Sequence, residues 1–145
     1  MSSTNAATST STPTPPAAPP WNAVNWFEIP TRDMDRAVRF YEQTVGVRLQ
    51  REEFGGMPHA VFPSQCPPGG TSATGALVSA PHLTPGASGT VVYLHCGDGV
   101  AAALARATAG GATVVVPHTA IGPNGFFAIV DDLEGNRVGL HAMMA

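Results

Sequence analysis

Residues 33–46, DMDRAVRFYEQTVG, decide the fold, because a second stretch at 98–111, DGVAAALARATAGG, repeats their plan. Each stretch runs from an aspartate to a glycine, and the second begins 65 positions after the first (98 − 33). An apolar run precedes each one, VNWFEIP at 24–30 and TVVYLHC at 90–96. A repeat of this size predicts two copies of one supersecondary unit that share a core.

The first stretch predicts an amphipathic helix over 33–45, with Asp33 as N-cap and Gly46 as C-terminal stop. Its apolar residues fall on one face at the 3.6-residue period. A second helix is predicted over 98–109. Strands are predicted at 23–29, 47–53, 59–62, 75–79, 90–96, 112–116, 126–130 and 137–141. The sum is an α+β fold of two βαβββ modules, about 22–80 and 90–142, that form an eight-stranded, cup-shaped sheet.

Composition limits the other properties of the chain. Residues 1–20 carry no charge and no aromatic side chain, which predicts a disordered tail before a single domain over 21–145. The sequence contains no signal-peptide pattern and no apolar run long enough to span a bilayer, so we expect a cytoplasmic protein without a membrane partner. Seven arginines, no lysine and ten acids form no basic stripe, which argues against nucleic acid. Cys66 and Cys96 lack metal-ligand spacing and are expected to be reduced.

The order of motifs resembles the vicinal oxygen chelate superfamily, which includes glyoxalase I, extradiol dioxygenases and bleomycin-resistance proteins. Asp33, then Phe40–Tyr41 inside the helix, then Gly46 resemble its first module, and Asp132-Leu-Glu-Gly-Asn-Arg-Val-Gly-Leu-His141 resembles its closing hairpin. The resemblance covers about residues 22–142. It implies a cup built from two modules, a homodimer, and, in metal-dependent members, a divalent ion held from four strand positions.

Those four positions hold no metal ligands in this chain. The first-strand His or Gln position is Trp26, and the last-strand glutamate position is Gly139. The second-half counterpart of Trp26 is Val91 or Val92, and the fourth-strand position falls within 76–78, inside a stretch without any charged residue. Indole, valine and glycine side chains offer no donor to a divalent ion. We therefore expect no metal cofactor, which disfavours metal-dependent glyoxalase or dioxygenase chemistry.

Glu28 and His141 are the candidate catalytic residues. Strand alternation puts Glu28 on the face of Trp26, which the resemblance places inside the cup, and gives His141 the parity of Gly139. A carboxylate and a histidine in one cavity are suited to proton transfer, with Glu28 as acceptor and His141 as acid or orienting group. The alternative is that both are ordinary surface residues at strand ends.

Four residues are candidate ligand contacts. Trp26 and Phe127 are expected to wall the cup, and Phe126 to fill the core instead. His59 opens a strand and either lines the pocket or decorates its rim, whereas His95 faces the cup only if the second-half alignment slips by one position. An alternative function is a metal-dependent lyase or dioxygenase that uses a rearranged metal site of His59, His95 and His141, although their spacing does not require such a site. The loop 121–125 is either a lid or a plain connection.

Three functions fit these observations. The leading hypothesis is a glyoxalase-like protein that binds a small, largely apolar organic molecule without metal, with acid–base chemistry by Glu28 and His141 if it catalyses a reaction. The second is a non-catalytic protein that sequesters a drug or metabolite, as bleomycin-resistance relatives do. The third is an interaction subunit that keeps the fold alone.

Overall fold

A computed structural model of the chain describes residues 13–15, 17–18, 23–65 and 73–145. The predicted disordered tail lies outside the described residues except at 13–15 and 17–18, which form neither helix nor strand. Cys66 also lies outside them, whereas Cys96 is a free, buried thiol whose pKa is raised by burial. No helix in the described ranges is long and apolar enough to cross a membrane.

The elements follow the predicted order in both halves. The first half contains β1 Trp26–Pro30, α1 Met34–Val45, β2 Gln50–Phe54, β3 Met57–Val61 and β4 Thr74–Val78. The second contains β5 Val92–His95, α2 Val100–Ala109, β6 Thr113–Ala120, a single 3₁₀ turn Gly122–Asn124, β7 Phe126–Asp131 and β8 Arg137–Ala142. The α+β prediction with two βαβββ modules is confirmed.

The eight strands of the described ranges form two sheets of four, one sheet in each module. The strand order is β1-β4-β3-β2 in the first sheet and β5-β8-β7-β6 in the second. In each sheet the first strand of the module pairs in parallel with the last, and the remaining pairs are antiparallel. The repeat read from the sequence is therefore a repeat of topology as well as of element order.

One hydrophobic core joins the two modules. The helices pack against each other and against one face of the sheets, and core side chains such as Ile29, Leu77, Leu94 and Leu140 belong to a single buried cluster. Because side chains alternate along a strand, the residues between these core positions point to the opposite face of each sheet. We call this opposite face the cup face.

Arg106 of α2 fastens the two helices together. Its guanidinium donates hydrogen bonds to the carbonyl oxygens of Gln43 and Thr44, in the last turn of α1, at 2.8–3.3 Å. Asp98 holds the same guanidinium through two hydrogen bonds of 2.7 and 3.0 Å. The expected second helix start at Asp98 is therefore two residues early: α2 begins at Val100, and Asp98 pairs with a side chain instead of capping the helix.

Asp33 does cap the first helix, as predicted. Its side chain accepts a hydrogen bond from the backbone N–H of Arg36 at 3.1 Å, which satisfies one of the donors left free in the first turn. Gly46 ends the helix in the left-handed conformation with φ of 79°.

The turn at 132–136 links the second module to the first. Asp132 accepts hydrogen bonds from the backbone N–H groups of Glu134 and Asn136, at 2.9 Å each, and thereby shapes the turn. The same carboxylate accepts a 2.7 Å hydrogen bond from the hydroxyl of Tyr41, in the middle of α1. Tyr41 is 1% exposed, and burial beside this carboxylate raises its pKa well above the ordinary value of 10.0.

The other polar residues of this turn bind the end of β1. Glu134 accepts hydrogen bonds from the hydroxyl of Thr31 and from the backbone N–H of Arg32, the latter at 2.6 Å. The side chain of Asn136 donates to the carbonyl oxygen of Pro30 at 2.7 Å. The closing-hairpin motif thus fixes how the two modules sit together.

Candidate functional site

On the cup face of the first sheet, Glu28 and His59 form a pair. Their side chains lie on β1 and β3, with Glu28 Oε2 3.6 Å from His59 Nε2. His59 is buried, with 5% of its side chain exposed, whereas 34% of the Glu28 side chain is exposed. The indole Nε1–H of Trp26 donates to the same carboxylate oxygen at 3.2 Å. Trp26 as a whole is 41% exposed.

A backbone carbonyl fixes the tautomer of His59. Its Nδ1 lies 2.8 Å from the carbonyl oxygen of Met57, and since a carbonyl can only accept, Nδ1 carries the proton. A neutral His59 therefore presents an unprotonated Nε2 to Glu28, and a second proton would sit between the two side chains. The exposed ring of Phe54 packs edge-on against the imidazole, with ring centroids 4.7 Å apart.

On the cup face of the second sheet lies an apolar pocket. It has a volume of about 430 Å³ and is lined by Tyr93, Ile121, Phe127 and His141. Phe127 and His141 are cross-strand partners on β7 and β8, and the Tyr93 and Phe127 rings lie 6.4 Å apart. We call this cavity the Tyr93 pocket.

Glycine on β8 makes room for the tyrosine wall of this pocket. Gly139 is paired with Tyr93 across β5 and β8. A Cβ atom at position 139 would lie 2.2 Å from Cδ1 of the Tyr93 ring, closer than atoms in contact can approach. The ring therefore lies directly over the glycine, and 51% of Tyr93 remains exposed.

The loop 121–125 is tied to the sheet beside the pocket. His141 Nε2 donates to the carbonyl oxygen of Asn124 at 2.7 Å, which leaves Nδ1 as the acceptor in the neutral ring. The backbone N–H of Ile121 also bonds to the carbonyl oxygen of Gly125 at 2.8 Å. The loop contributes Ile121 to the pocket wall, and these hydrogen bonds hold it against the sheet.

A second cavity, of about 390 Å³, lies where β1 meets β8 and the connector 84–90. Glu28, Pro30, Thr84, Ser88, Thr90 and Arg137 contribute to its lining. We call this cavity the connector cleft. Arg137 donates two hydrogen bonds to Asp131, at 2.8 and 3.1 Å, and this contact lowers the pKa of the aspartate below its ordinary value of 3.8.

The structure brings together some of the residues predicted for the site and separates others. Trp26, Glu28 and His59 meet on the first sheet, and Phe127 and His141 meet on the second. Glu28 and His141 line different cavities, the connector cleft and the Tyr93 pocket respectively.

His95 lies directly opposite His141 in the β5–β8 register, so the two share the cup face. Because side chains alternate along β5, Tyr93 lies on the cup face and Val92 on the core side. The alignment that makes Val92 the counterpart of Trp26 is therefore off by one position. His95 also lines a separate groove beside the end of α1, together with Gly97 and other residues.

The donor set does not fit the family's divalent ion. No side-chain donor atom for this ion is available at the family's ligand positions, which hold Trp26, Gly139 and either Val91 or Val92. In addition, the described part of the chain contains no group of three or more His, Cys, Asp or Glu side chains arranged to hold a metal. His59 lies on the first sheet and the other two histidines of the alternative site, His95 and His141, on the second.

Two features were not found from the sequence. The Glu28–His59 contact crosses from β1 to β3 with β4 between them, so it depends on a register that no local pattern reveals. The sequence pattern places Tyr93 in a strand but does not identify it as a pocket residue. Its position opposite a glycine on β8 would have been the available signal.

Comparison with known proteins agrees with this fold. The family model described as Glyoxalase/Bleomycin resistance protein/Dioxygenase superfamily matches residues 23–140. None of the curated proteins compared with the chain matches it.

Several solved structures resemble it. A glyoxalase/bleomycin resistance protein from Streptomyces sp. CB03234 is 29% identical, with a TM-score of 0.58 over 82% of this chain and 100% of the other. TnmS3, an antibiotic binding protein from the same strain, is 28% identical, with a TM-score of 0.55 over 83% of this chain and 94% of the other. A V278E mutant of glyoxalase I from Zea mays is 16% identical with a TM-score of 0.62, and the match covers 82% of this chain but only 45% of the maize enzyme. The chain belongs to the glyoxalase/bleomycin resistance protein/dioxygenase superfamily.

Proposed function

We propose that this protein binds a small, largely apolar aromatic molecule in the Tyr93 pocket, without a divalent metal and without transforming it. The observation that carries the proposal is the pocket itself: two aromatic rings and an isoleucine surround a cavity of about 430 Å³ on the cup face. Ligand pockets are typically concave, mostly apolar and furnished with a few polar groups, here His141.

The relatives support binding as the function. TnmS3 is described as an antibiotic binding protein, and it is 28% identical to this chain. Acid–base chemistry by Glu28 and His141 would require both groups at one ligand, and they line different cavities. We therefore restrict the proposal to sequestration. A homodimer in the cytoplasm is also part of the proposal, and a dimer would cover the exposed Trp26 of the first sheet.

Calorimetry with planar two-ring aromatics, 2-naphthol among them, tests this proposal on the full-length, tag-free chain. Phe127→Ala should weaken binding by about tenfold or more, because an aromatic pair is worth about 0.5–1.5 kcal/mol beyond the area it buries. Phe54→Ala is the matched control: it removes an exposed ring from the other sheet and should leave the affinity unchanged.

The ligand recovered from the complex should be chemically unchanged by mass spectrometry after prolonged incubation. Absence of saturable binding across the aromatic series would refute the pocket assignment, and so would equal losses in the two variants. Recovery of a converted product would instead return the enzymatic hypothesis.

A further inference from the structure

We propose that the connector cleft is a second binding site, which takes a small, neutral, peptide-like amide on the main chain of Glu28. The site is separate from the Tyr93 pocket and does not depend on the function proposed for that pocket.

The free edge of β1 runs along this cleft. Three consecutive residues of the strand, Glu28, Ile29 and Pro30, line the cavity. Because consecutive side chains point to opposite faces of a sheet, a cavity that contacts all three residues must run along the edge of the strand, where the main chain is accessible. That edge is open because β1 pairs with β4 on one side and is the outermost strand of its sheet on the other.

The hydrogen-bond register directs the main chain of Glu28 toward the cleft. The N–H of Thr31 donates to the carbonyl oxygen of Val78 on β4, at 2.9 Å. The N–H and C=O of one strand residue point to the same side and those of the next residue to the other, so those of Pro30 and Glu28 point away from β4. The carbonyl oxygen of Pro30 agrees with this assignment, because it accepts a 2.7 Å hydrogen bond from Asn136 of the second module.

Within the described part of the cleft, Glu28 is the residue whose main chain is left unpaired. Pro30 has no N–H, and Asn136 already occupies its carbonyl oxygen. The N–H and the carbonyl oxygen of Glu28 have no hydrogen-bond partner among the described residues. An unpaired donor and acceptor on a strand edge are the groups that bind the main chain of an added peptide. Since one residue is open in a cavity of about 390 Å³, at the small end of the range for ligand pockets, the ligand is a small molecule.

The charges of the cleft favour a neutral ligand. Glu28 and Arg137 are the charged residues among the described lining. The guanidinium of Arg137 donates two hydrogen bonds to Asp131, which compensates its charge. The carboxylate of Glu28 is turned away from the cleft, toward the Trp26 indole and His59. Hydroxyl groups, which both donate and accept, supply further polar lining from the connector: Thr84, Ser88 and Thr90.

Two non-aromatic probes of the same shape test the proposal on the full-length, tag-free chain. N-acetylalanine N-methylamide has two N–H groups, and in methyl O-acetyllactate an ester oxygen replaces each of them while both carbonyl groups remain. In an NMR titration the amide probe should shift the Glu28 amide resonance saturably and slow its hydrogen exchange. The ester should bind about two- to tenfold more weakly, the value of one hydrogen bond. Equal affinities, absence of binding, or saturable shifts confined to residues outside the cleft would each overturn the proposal.

Variants at position 28 separate the main chain from the side chain. Glu28→Ala removes the carboxylate and keeps the N–H, whereas Glu28→Pro removes both, and proline is tolerated where the N–H of an edge strand points away from the ladder. The amide probe should bind about two- to tenfold more weakly to Glu28→Pro than to Glu28→Ala. Equal affinities of the two variants would show that the main chain is not the binding group. If Glu28→Pro fails to fold, hydrogen exchange in the wild type decides, because an unchanged exchange rate of the Glu28 amide at saturation contradicts the proposal.

Two further titrations test the separateness and the size of the site. Saturating 2-naphthol should leave the affinity for the amide probe unchanged, and displacement of the probe would mean that both ligands share one site. Blocked tetra-alanine should bind no more tightly than the small amide, because the open strand edge ends at Pro30. Tighter binding of the longer peptide would assign the edge to a strand of a protein partner and refute the small-molecule assignment.

Discussion

Replacing Tyr41 with phenylalanine should destabilise the domain by about 2 kcal/mol. The change removes the 2.7 Å hydrogen bond to Asp132 and nothing else, because the ring can keep its edge-on contacts with Phe40 and Phe62, at 5.0 and 6.0 Å. A hydrogen bond to a charged group contributes about 1.5–3 kcal/mol. The lower part of that range applies here, since Asp132 keeps hydrogen bonds from the backbone and side chain of Asn136.

Urea unfolding followed by circular dichroism measures this loss, and the thermal midpoint should fall by roughly 5–10 °C. Tyr93→Phe is the matched control, because the same hydroxyl is removed from a half-exposed tyrosine; its effect should stay within about 0.5 kcal/mol. If Tyr41→Phe costs no more than this control, the contact between α1 and the 132–136 turn does not stabilise the junction of the two modules, and our account of that junction is wrong.

Further predictions concern pH, packing and metal. The raised pKa of Tyr41 contributes stability that is present below pH 10.0, the ordinary value, and lost as pH rises through the raised value, so Tyr41→Phe should flatten the alkaline fall in stability measured by urea unfolding. Arg106 lowers the pKa of Asp98, so the stability from this pair is present above pH 3.8 and lost as pH falls through the lowered value; Asp98→Asn should reduce the loss of thermal stability in acid. Gly139→Ala should displace the Tyr93 ring and weaken aromatic ligands in calorimetry by up to about tenfold, the value of one aromatic pair, with the fold retained by circular dichroism. Elemental analysis after incubation with nickel, zinc, manganese or iron(II) should find far less than one ion per chain, and a stoichiometric ion would restore the metal-dependent hypothesis.

The elements that local patterns specify were predicted well. The helix α1 combines an apolar stripe with a cap at Asp33 and a stop at Gly46, and its observed span begins one residue after the cap. The strand β6 was predicted to end at Val116, before Pro117, yet it continues to Ala120. It can do so because it is an edge strand with two register shifts, where a residue without an N–H is tolerated.

The sequence predicted which site residues share a face of a sheet, but not which of their side chains are in contact. Alternation correctly grouped Trp26 with Glu28, and it separated Phe127 on the cup face from Phe126 against the core. Alternation does not show which strands lie side by side. The contact of Glu28 with its partner depends on that order, because β4 lies between β1 and β3. The expectation that Glu28 and His141 share a cavity rested on one continuous cup, whereas the strands form two separate sheets within the chain.

Gly139 both replaces a glutamate expected on the last strand and makes room for the Tyr93 wall of the apolar pocket. Where the superfamily's metal-dependent members carry a glutamate on the last strand, this chain has Gly139, and the Tyr93 ring lies in the space that any side chain there would need. A glutamate at 139 would push the ring off the sheet and remove one wall of the pocket, since even a Cβ atom would come within 2.2 Å of the ring. Restoring that ligand by Gly139→Glu should therefore cost affinity for apolar aromatics before it gains any for a metal, because Trp26 still occupies the first-strand position without a donor. In this chain the aromatic wall and the carboxylate ligand exclude each other sterically, which favours a binding pocket at this position over a metal centre.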